Sequence, residues 1–335
     1  MSGALRVGLI GAGWVTQYHL QAWQKLAGRA DIVAIADPSV ENVATRADAF
    51  GIDKRFSGAQ AMLDGCQLDA VDIAAPRAVH AELVRLVADR GIPVICQKPL
   101  APTLVEAEIL ARDVEGRIRL MVHENWRFRD YYRDAAGWIR DGRIGEITAA
   151  RLMLVTSGTI KDSNGQYPAL VRQPLMRNET RMLVAEVLIH HLDTLRMLLG
   201  PLDVTAATLT QTCTEIAGED GAVIQLQSQG GAGVSLFATF AAHGAPPAQS
   251  DRLDILGKDG AIRLEGNELQ LFGAQPETRS YDLAASYQGS YDATIAHFVE
   301  ALASGAPFET SPKDNLQTLR LVEDCYRLSG RDNRP

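Results

Sequence analysis

Lys98 occupies a position that points to chemistry, because it follows the apolar run Val94–Gln97 and precedes Pro99. A lysine at the end of a strand, followed by proline, carries its ammonium group on a rigid stretch of backbone. A partly desolvated ammonium can give or take a proton during a reaction. The alternative is a solvated loop lysine. The expected place of Lys98 at a strand end, where ligands bind in parallel sheets, favours the chemical interpretation.

A second group of reactive residue types recurs with helical spacing in 185–199, AEVLIHHLDTLRMLL. At about 100° per residue, Glu186, His190 and Asp193 share one face of this helix. The opposite face, expected to pack on the core, carries Leu188, Leu192, Leu195 and Leu199. A carboxylate one turn before an imidazole fits proton handling, although a surface helix can show the same stripe. His191 lies about 100° around the helix from His190, so we expect no metal site here.

The stretch 5–23 predicts a nucleotide site in the N-terminal part of the chain. A short apolar strand leads into Gly11-Ala12-Gly13 and then into a helix. Gly11 permits a tight turn, and Gly13 lacks the Cβ that would keep a pyrophosphate away from the backbone. The helix start offers free N–H groups to phosphate oxygens. The predicted contacts of a dinucleotide are Gly11, Gly13, Trp14 and Val15.

An acidic residue, Asp37, ends the second apolar strand about 25 residues after the glycines. A carboxylate at this place holds the ribose hydroxyls of the adenosine and repels a 2′-phosphate, so Asp37 predicts NAD as the cofactor. Thr16 stands where the third glycine of this fingerprint usually lies. That glycine mainly permits close packing of helix on strand, so the change predicts a slightly wider contact and not the loss of the site.

Alternating strand and helix patterns fill the first 123 residues and predict an α/β fold with a doubly wound parallel sheet. The predicted strands are Leu5–Ile10, Ile32–Asp37, Ala70–Ala75, Val94–Gln97 and Ile118–Val122. From residue 124 on, a helix over 131–141 precedes successive strand patterns with short Gly-rich turns, which predict an antiparallel sheet in a second, α+β domain. The predicted domains are therefore residues 1–123 and 124–335.

The composition limits the classes of function. A chain of 335 residues with 46% hydrophobic and 22% charged residues is typical of a globular protein with two domains. The net charge of −8 argues against a nucleic-acid partner, which would require a clustered basic surface. The apolar runs are too short to cross a membrane. Four scattered cysteines and an N-terminus that leads directly into the first strand favour the cytoplasm, with no signal peptide.

Together, the Gly-x-Gly turn, the Lys-Pro at a later strand end and the acid four residues before a helical His resemble the Gfo/Idh/MocA oxidoreductases over essentially the whole chain. The resemblance implies an N-terminal Rossmann domain and a C-terminal α+β domain with an open, mostly antiparallel sheet. It also implies a sugar or polyol bound between that sheet and the nicotinamide ring. We expect the second domain to oligomerise through its sheet, as a homodimer or homotetramer, and the C-terminal helix to pack back on the first domain.

Two motifs of the family carry over with one change each. Lys98 matches the lysine of Glu-Lys-Pro, and Gln97 replaces the glutamate. His190 matches the histidine of the acid-x-x-x-His element, and Glu186 replaces the usual aspartate. The resemblance implies that Lys98 and His190 handle the proton while Glu186 contacts the substrate or orients His190. The loss of a carboxylate at position 97 puts one cofactor or lysine contact in doubt.

Further site residues follow from the resemblance. The family's Thr-Pro-Asn-x-x-His element corresponds to 75–80, with Arg77 in place of the Asn, which implies cofactor contacts by Pro76, His80, Gln97 and Lys98. In 123–128, Asn125 is predicted to orient the nicotinamide and Arg127 the substrate. The polar segment 167–181 is interpreted either as an exposed loop or as a substrate lid with Arg172, Gln173 and Arg181 as ligands.

The expected reaction is hydride transfer between NAD and a sugar or polyol. The motifs are most similar to the sugar-catabolic branch that includes D-apiose dehydrogenases, so an aldose 1-dehydrogenase with D-apiose as a candidate substrate is expected. One alternative is an NAD-binding sugar sensor without turnover, which would need neither Lys98 nor His190. Another is an NAD-dependent glycosidase, which would cleave glycosides without net formation of NADH.

Overall fold

The chain divides into two compact units in a computed structural model that describes residues 3–248 and 251–331. One unit holds the chain up to Phe128 together with Tyr287–Leu319, and the other holds Arg129–Ser286 and the chain from Arg320 on. The division into domains 1–123 and 124–335 assigns functions to segments and stays a prediction. The first two and the last four residues of the chain lie outside the described residues. These include the start of the N-terminal segment for which no signal peptide is expected.

The first unit contains a six-stranded parallel sheet with the order β3-β2-β1-β4-β5-β6. Its strands are β1 (Leu5–Ile10), β2 (Ala30–Ala36), β3 (Lys54–Phe56), β4 (Ala70–Ile73), β5 (Val94–Gln97) and β6 (Leu120–His123). The helices between them are α1 (Thr16–Gln24), α2 (Val40–Phe50), α3 (Ala59–Gly65), α4 (His80–Ala88) and α5 (Leu104–Val114). This order confirms the doubly wound fold, and it reverses between β1 and β4, where such sheets bind ligands.

Burial explains why these short segments form strands. All residues of β4, β5 and β6 are buried, as expected for parallel strands covered by helices on both faces. β3 has no corresponding pattern, since only its third residue is even partly buried, and it is absent from the predicted strands. α5 begins with a capping box, in which Thr103 and Glu106 each accept a backbone N–H of the other.

The second unit is built on an eight-stranded sheet with the order β14-β13-β12-β11-β7-β10-β9-β8. Its strands are β7 (Ile147–Val155), β8 (Leu202–Thr210), β9 (Gly221–Ser228), β10 (Gly233–Thr239), β11 (Asp251–Gly257), β12 (Gly260–Glu265), β13 (Glu268–Gly273) and β14 (Glu277–Ser280). Only β7 and β10 pair in parallel, and the other neighbours are antiparallel. The sheet is open and mostly antiparallel, which confirms this part of the predicted fold.

One face of this sheet is covered and the other is open. Alternate residues of β9, β10, β11 and β12 are buried, as in a sheet that packs one face on a core. The open face carries large apolar side chains that are between 37% and 47% exposed, namely Val223, Phe237, Leu256 and Phe272. The helices of this unit are α6 (Asp130–Arg140), α7 (Pro168–Arg172) and α8 (Ile189–Leu199), and a π turn (Leu183–Leu188) runs directly into α8.

Two long helices complete the chain, α9 (Leu283–Ser304) and α10 (Pro312–Ser329). In the first unit, α9 brings Tyr291, Ile295 and Phe298 into a core that also contains Trp23 of α1. The ring of Phe298 meets that of Trp23 edge-to-face at a centroid distance of 6.4 Å, a favoured geometry for aromatic pairs. Within the described residues, no helix is both long and apolar enough to cross a membrane.

Candidate functional site

The glycine turn after β1 has the backbone geometry that its sequence predicts. Gly11 has a φ of +111°, and a Cβ placed on it would lie 2.4 Å from the carbonyl oxygen of Ala74. Only glycine fits such a close approach. A Cβ placed on Gly13 would have no heavy atom within 4 Å. The turn therefore leaves an open space at Gly13, immediately before α1 begins at Thr16.

Asp37 follows β2 and is fixed beside this turn by two backbone groups. The N–H of Ala12 donates to Oδ2 and the N–H of Ser39 donates to Oδ1, both at 2.8 Å. Each carboxylate oxygen can accept further hydrogen bonds, as ribose hydroxyls require. The open space at Gly13, the start of α1 and the remaining acceptor capacity of Asp37 fit the NAD that the sequence predicts.

Trp14 and Val15 lie at the end of the same turn. The Trp14 side chain is 42% exposed, and its ring meets that of Tyr18 edge-to-face at a centroid distance of 5.2 Å. Val15 packs partly buried against the core of the first unit. Of the two, Trp14 therefore offers the larger accessible surface to a ligand, and its indole can report binding through fluorescence.

Lys98 is held at the end of β5 through its backbone and through the turn that follows it. Its N–H donates to Oε1 of Gln97 at 3.1 Å, and the Lys98–Pro99 peptide is cis. His80 is 1% exposed, and its Nδ1 and Nε2 lie 2.8 Å from the carbonyl oxygens of Pro99 and Ala75 respectively. His80 therefore joins the segments that follow β4 and β5. Pro76, beside it, is exposed.

A buried polar chain below Gln97 extends this support. Nε2 of Gln97 lies 2.9 Å from Nε2 of His19 and 3.4 Å from Nδ1 of His123. Nδ1 of His19 and Nε1 of Trp23 each lie 2.8 Å from Oδ2 of Asp72. All five side chains are less than 10% exposed. No local pattern predicts this network of side chains, although an acid inside the apolar strand β4 is a signal that a buried partner exists.

The backbone N–H of Lys98 can only donate, and this determines the direction of the hydrogen bonds around Gln97. Because it faces Oε1 of Gln97, the amide nitrogen of Gln97 donates toward the two imidazoles. Nε2 of His19 then accepts, and Nδ1 of His19 donates to Asp72. A glutamate at position 97 could not donate, so the glutamine is matched to these two histidines.

Asn125 and Arg127 contact the C-terminal helices within the first unit. Nδ2 of Asn125 donates to Oγ of Ser290 at 2.7 Å. Arg127 is 4% exposed, and its Nη2 lies 2.7 Å from Oδ2 of Asp314. These contacts give both residues a structural part, and their predicted roles toward the nicotinamide and the substrate stay predictions.

In the second unit, the helix over 185–199 exists, but its first turn is a π turn. The Ile189 N–H reaches the carbonyl oxygen of Val184, five residues back. Glu186 lies half-buried in this turn and His190 lies in α8, 9% exposed. Asp193 is fully buried, 3.6 Å from Arg196. The helix is therefore buried on both of its predicted faces, which excludes the surface-helix interpretation.

Glu219 and Tyr326 satisfy the N–H groups at the start of the π turn. Oε1 of Glu219 accepts from the Val184 N–H at 3.0 Å and from the Tyr326 hydroxyl at 2.5 Å.

Two arginines predicted to bind the substrate lie in this unit. Arg181 stacks over the Tyr326 ring at 4.1 Å and forms two hydrogen bonds of 2.8 and 3.0 Å with the carboxylate of Glu323. In α7, the buried Nε of Arg172 has no hydrogen-bond partner among the described residues. Their predicted substrate roles stay predictions.

His191 is anchored to the sheet. Its Nε2 lies 2.9 Å from Oδ1 of Asp251 at the start of β11, and its Nδ1 lies 3.2 Å from the Val187 carbonyl oxygen. The Tyr132 hydroxyl donates to Oδ2 of Asp251 at 2.8 Å. Burial by itself raises the pKa of Asp251, but His191, Arg129 and Tyr132 outweigh it and hold this pKa well below its usual value. The described residues contain no group of three His, Cys, Asp or Glu side chains that could hold a metal ion.

The two glycines of the turn predict opposite phenotypes. Gly11→Ala places a methyl against the Ala74 carbonyl at a φ that L-residues rarely adopt, so we expect the free energy of unfolding to fall by about 1–3 kcal/mol. Gly13→Ala has room in the protein and keeps its stability. Its methyl occupies the space expected for the pyrophosphate, so the dissociation constant of NAD should rise about five- to 150-fold. Urea unfolding and quenching of tryptophan fluorescence by NADH measure the two effects. Equal affinity in Gly13→Ala and wild type would contradict the assignment.

Asp251 predicts how stability changes with pH. Because its folded-state pKa is depressed, its contribution is present at neutral pH and is lost as the pH falls below the unfolded value of about 3.9. Asp251→Asn should cost about 3–5 kcal/mol at pH 7, as for a broken buried pair, and the difference from wild type should shrink below about pH 4. Thermal unfolding followed by circular dichroism at several pH values tests this.

The matched control for that variant is Asp254→Asn on the same strand. Asp254 pairs with Arg151 and Arg263, which are largely exposed, so its loss should cost about 1 kcal/mol or less. A stability difference for Asp251→Asn that is the same at pH 3 and pH 7 would show that the carboxylate charge is not what stabilises this site.

Comparison with known proteins places both units in one family. Residues 5–123 match the NAD-binding Rossmann fold of the Gfo/Idh/MocA oxidoreductases, and residues 137–334 match the C-terminal alpha/beta domain of the same family. The chain is 33% identical to a D-apiose dehydrogenase of Paraburkholderia graminis, over 97% of this chain and 88% of the relative. It is 32% identical to a D-apiose dehydrogenase of Rhizobium rhizogenes, over 96% of this chain and 94% of that protein.

A solved structure shows the same fold over the same length. An oxidoreductase from Agrobacterium radiobacter, in complex with NAD+, L-tartaric acid and magnesium, superposes with a TM-score of 0.90. It is 30% identical and covers 98% of this chain and 97% of its own. With the parallel sheet, the glycine turn and Asp37 on one unit and the open antiparallel sheet on the other, the chain belongs to the Gfo/Idh/MocA family of NAD-binding oxidoreductases.

Proposed function

We propose that this protein is an NAD-dependent dehydrogenase that oxidises a carbinol carbon of a sugar or polyol, with D-apiose as the first substrate to test. The observation that carries the proposal is the anchoring of Lys98. Hydrogen bonds through Gln97 and His80 fix the backbone on both sides of this lysine at the carboxyl end of β5, in the unit that fits NAD. The similarity to two D-apiose dehydrogenases over nearly the full length of the chain supports an aldose as the substrate.

Asp37, Gly11 and Gly13 would hold the adenosine and pyrophosphate parts of NAD, as their contacts allow. When bound, NAD supplies the hydride acceptor for the reaction. The carboxylate of Asp37 favours NAD over NADP because a 2′-phosphate would meet its negative charge. We infer that Trp14, Val15, Pro76, His80, Gln97 and Asn125 complete the surroundings of the cofactor.

Removal of a hydride from a carbinol carbon requires that the hydroxyl proton also leaves. In this proposal, Lys98 and His190 receive and relay that proton. Glu186, in the turn that precedes His190, orients the imidazole or binds a substrate hydroxyl. Arg127, Arg172 and Arg181 are proposed to contribute to substrate binding. Arg172 is the strongest of the three, because Arg127 and Arg181 already pair with Asp314 and Glu323, whereas the buried Nε of Arg172 has no hydrogen-bond partner among the described residues.

The open face of the second sheet supports self-association. Phe237 pairs across the strands with Met153 and Val223, which gives this face an apolar centre, while Arg151 and Arg263 flank Asp254. An apolar centre with a charged surround is typical of an interface. We propose a homodimer or homotetramer formed through this sheet, in the cytoplasm.

The proposed activity is tested by absorbance of NADH in a mixture of protein, dinucleotide and one compound from a panel. D-Apiose, other aldoses, polyols and inositols are each offered with NAD and, separately, with NADP. NADH formation with an aldose and NAD is expected. Tight NAD binding with no reduced dinucleotide from any compound would contradict a dehydrogenase, and glycoside cleavage without net NADH would identify the glycosidase alternative.

Loss of either proton-handling residue should slow turnover without preventing NAD binding. Lys98→Ala and His190→Ala are each expected to lower kcat by about 10²–10⁴-fold, the usual contribution of a general acid or base. The dissociation constant of NAD should change little in His190→Ala, since His190 is assigned to the substrate proton and not to the cofactor. Matched controls are Lys54→Ala, on the exposed edge of β3, and His243→Ala, in the loop after β10. Wild-type turnover in both Lys98→Ala and His190→Ala would refute the roles.

A further inference from the structure

The junction between the π turn and α8 sets how Glu186 and His190 are aligned. Glu186 lies within the π turn and His190 is the second residue of α8. In an α-helix, residues four apart lie nearly above one another. A π turn closes five residues back and so contains one more residue in the ring. The angle between the two side chains around the helix axis therefore depends on whether this turn stays π.

π-Helical turns are rare and occur mostly as single turns within α-helices, often at functional sites. At its start, the turn is held by Glu219, which accepts the Val184 N–H through its side chain and the Leu183 N–H through its backbone carbonyl at 3.3 Å. At its end, the Val187 carbonyl meets the ring of His191, four residues on, at 3.2 Å. The turn is thus fixed by side-chain contacts on both sides, and His191 supplies the one at the junction.

His191 faces an acceptor at each ring nitrogen. The Val187 carbonyl oxygen can only accept, and so can the Asp251 carboxylate. Both ring nitrogens therefore donate, one along the helix and one to the sheet. Asp251 is held in turn by the Tyr132 hydroxyl, and the His191 ring is 0% exposed. Solvent does not compete for either hydrogen bond.

We propose that His191 is a positioning residue, whose bond to the Val187 carbonyl keeps the turn π and thereby aligns Glu186 with His190, while its bond to Asp251 anchors the helix to β11. The inference rests on the proposed function for its effect on turnover. It assigns separate consequences to two hydrogen bonds of one side chain. A residue that served only stability would not separate them.

Two substitutions each retain one of the two bonds. His191→Asn keeps an N–H donor near the position of Nδ1, within reach of the Val187 carbonyl, but loses the hydrogen bond to Asp251. His191→Gln keeps an N–H donor near the position of Nε2, within reach of Asp251, but loses the hydrogen bond to the Val187 carbonyl. We expect His191→Gln to be the more stable variant but to lose about 10- to 100-fold in kcat, the scale of a 1 Å misplacement. His191→Asn should melt at a lower temperature yet keep the higher kcat.

The order of the two variants in kcat and in Tm decides the proposal. Opposite orders support it, and kcat that follows Tm overturns it. Asp251→Asn covers the case in which neither histidine variant folds. It removes the charge that pairs with His191, but its side-chain amide can donate to Nε2 of a neutral imidazole, so Nδ1 still donates to the Val187 carbonyl. It should lose stability and keep kcat within about threefold of wild type, a change below 1 kcal/mol. A loss of kcat as large as that expected for His191→Gln would contradict the assignment.

A crystal structure of His191→Gln gives an answer that does not depend on turnover. We expect the 183–188 segment to close as an α turn, with Glu186 displaced around the helix axis. Retention of the π turn in this variant would overturn the inference even if the protein is a dehydrogenase. If wild type oxidises no sugar, the proposed function fails, while the structure of the variant still decides whether His191 holds the turn.

Discussion

The first unit depends on the close approach of the Gly11 backbone to Ala74, where no Cβ fits. This contact brings the ends of β1 and β4 together at the point where the strand order reverses. From there the supports are continuous. Ala75 accepts from His80, His80 also binds the Pro99 carbonyl, and Lys98 precedes Pro99. The path closes through Gln97 and His19, since His19 lies on the helix that the glycine turn begins. The glycine turn and Lys98 are thus parts of one closed ring of contacts.

The second unit solves a different problem, the burial of a helix that carries polar side chains. Polar groups of this helix meet partners of opposite character: the Val184 N–H meets Glu219, His191 meets Asp251, and Asp193 meets Arg196. Paired in this way, the charges avoid most of the cost of burial. Fixed partners of this kind are also what holds a reactive side chain in one orientation, as proposed for His190 and Glu186.

The fold could be predicted to a large extent because it follows from local patterns. Apolar runs with helices between them specify a parallel sheet, and strand patterns joined by short turns specify an antiparallel one. β3 and β14 could not be predicted, because they are only three and four residues long and are exposed or half-buried. The parallel pairing of β7 with β10 could not be predicted either. These strands lie 78 or more residues apart in the sequence, and backbone hydrogen bonds between them impose no residue pattern on either strand.

The candidate site could be predicted only in part, for the same physical reason. Gly11 and Asp37 carry local signals, a turn and an acid at a strand end. The partners of Gln97 and His191 lie 78 and 60 residues away, and a side-chain hydrogen bond imposes no pattern on the intervening chain. The π turn could not be predicted, because the four-residue spacing of Glu186 and His190 is typical of an ordinary α-helix. What the sequence does retain is the anomaly of Asp72, an acid inside a fully buried strand.

The most direct test of the central claim is to follow the hydrogen itself. The aldose that gives NADH, beginning with D-apiose, is supplied with deuterium at its carbinol carbon, and the NADH formed is analysed by mass spectrometry. Direct transfer predicts one deuterium in each NADH molecule, with none released to water. Oxidised sugar accompanied by unlabelled NADH, or by deuterium in the solvent, would contradict hydride transfer between the sugar and NAD.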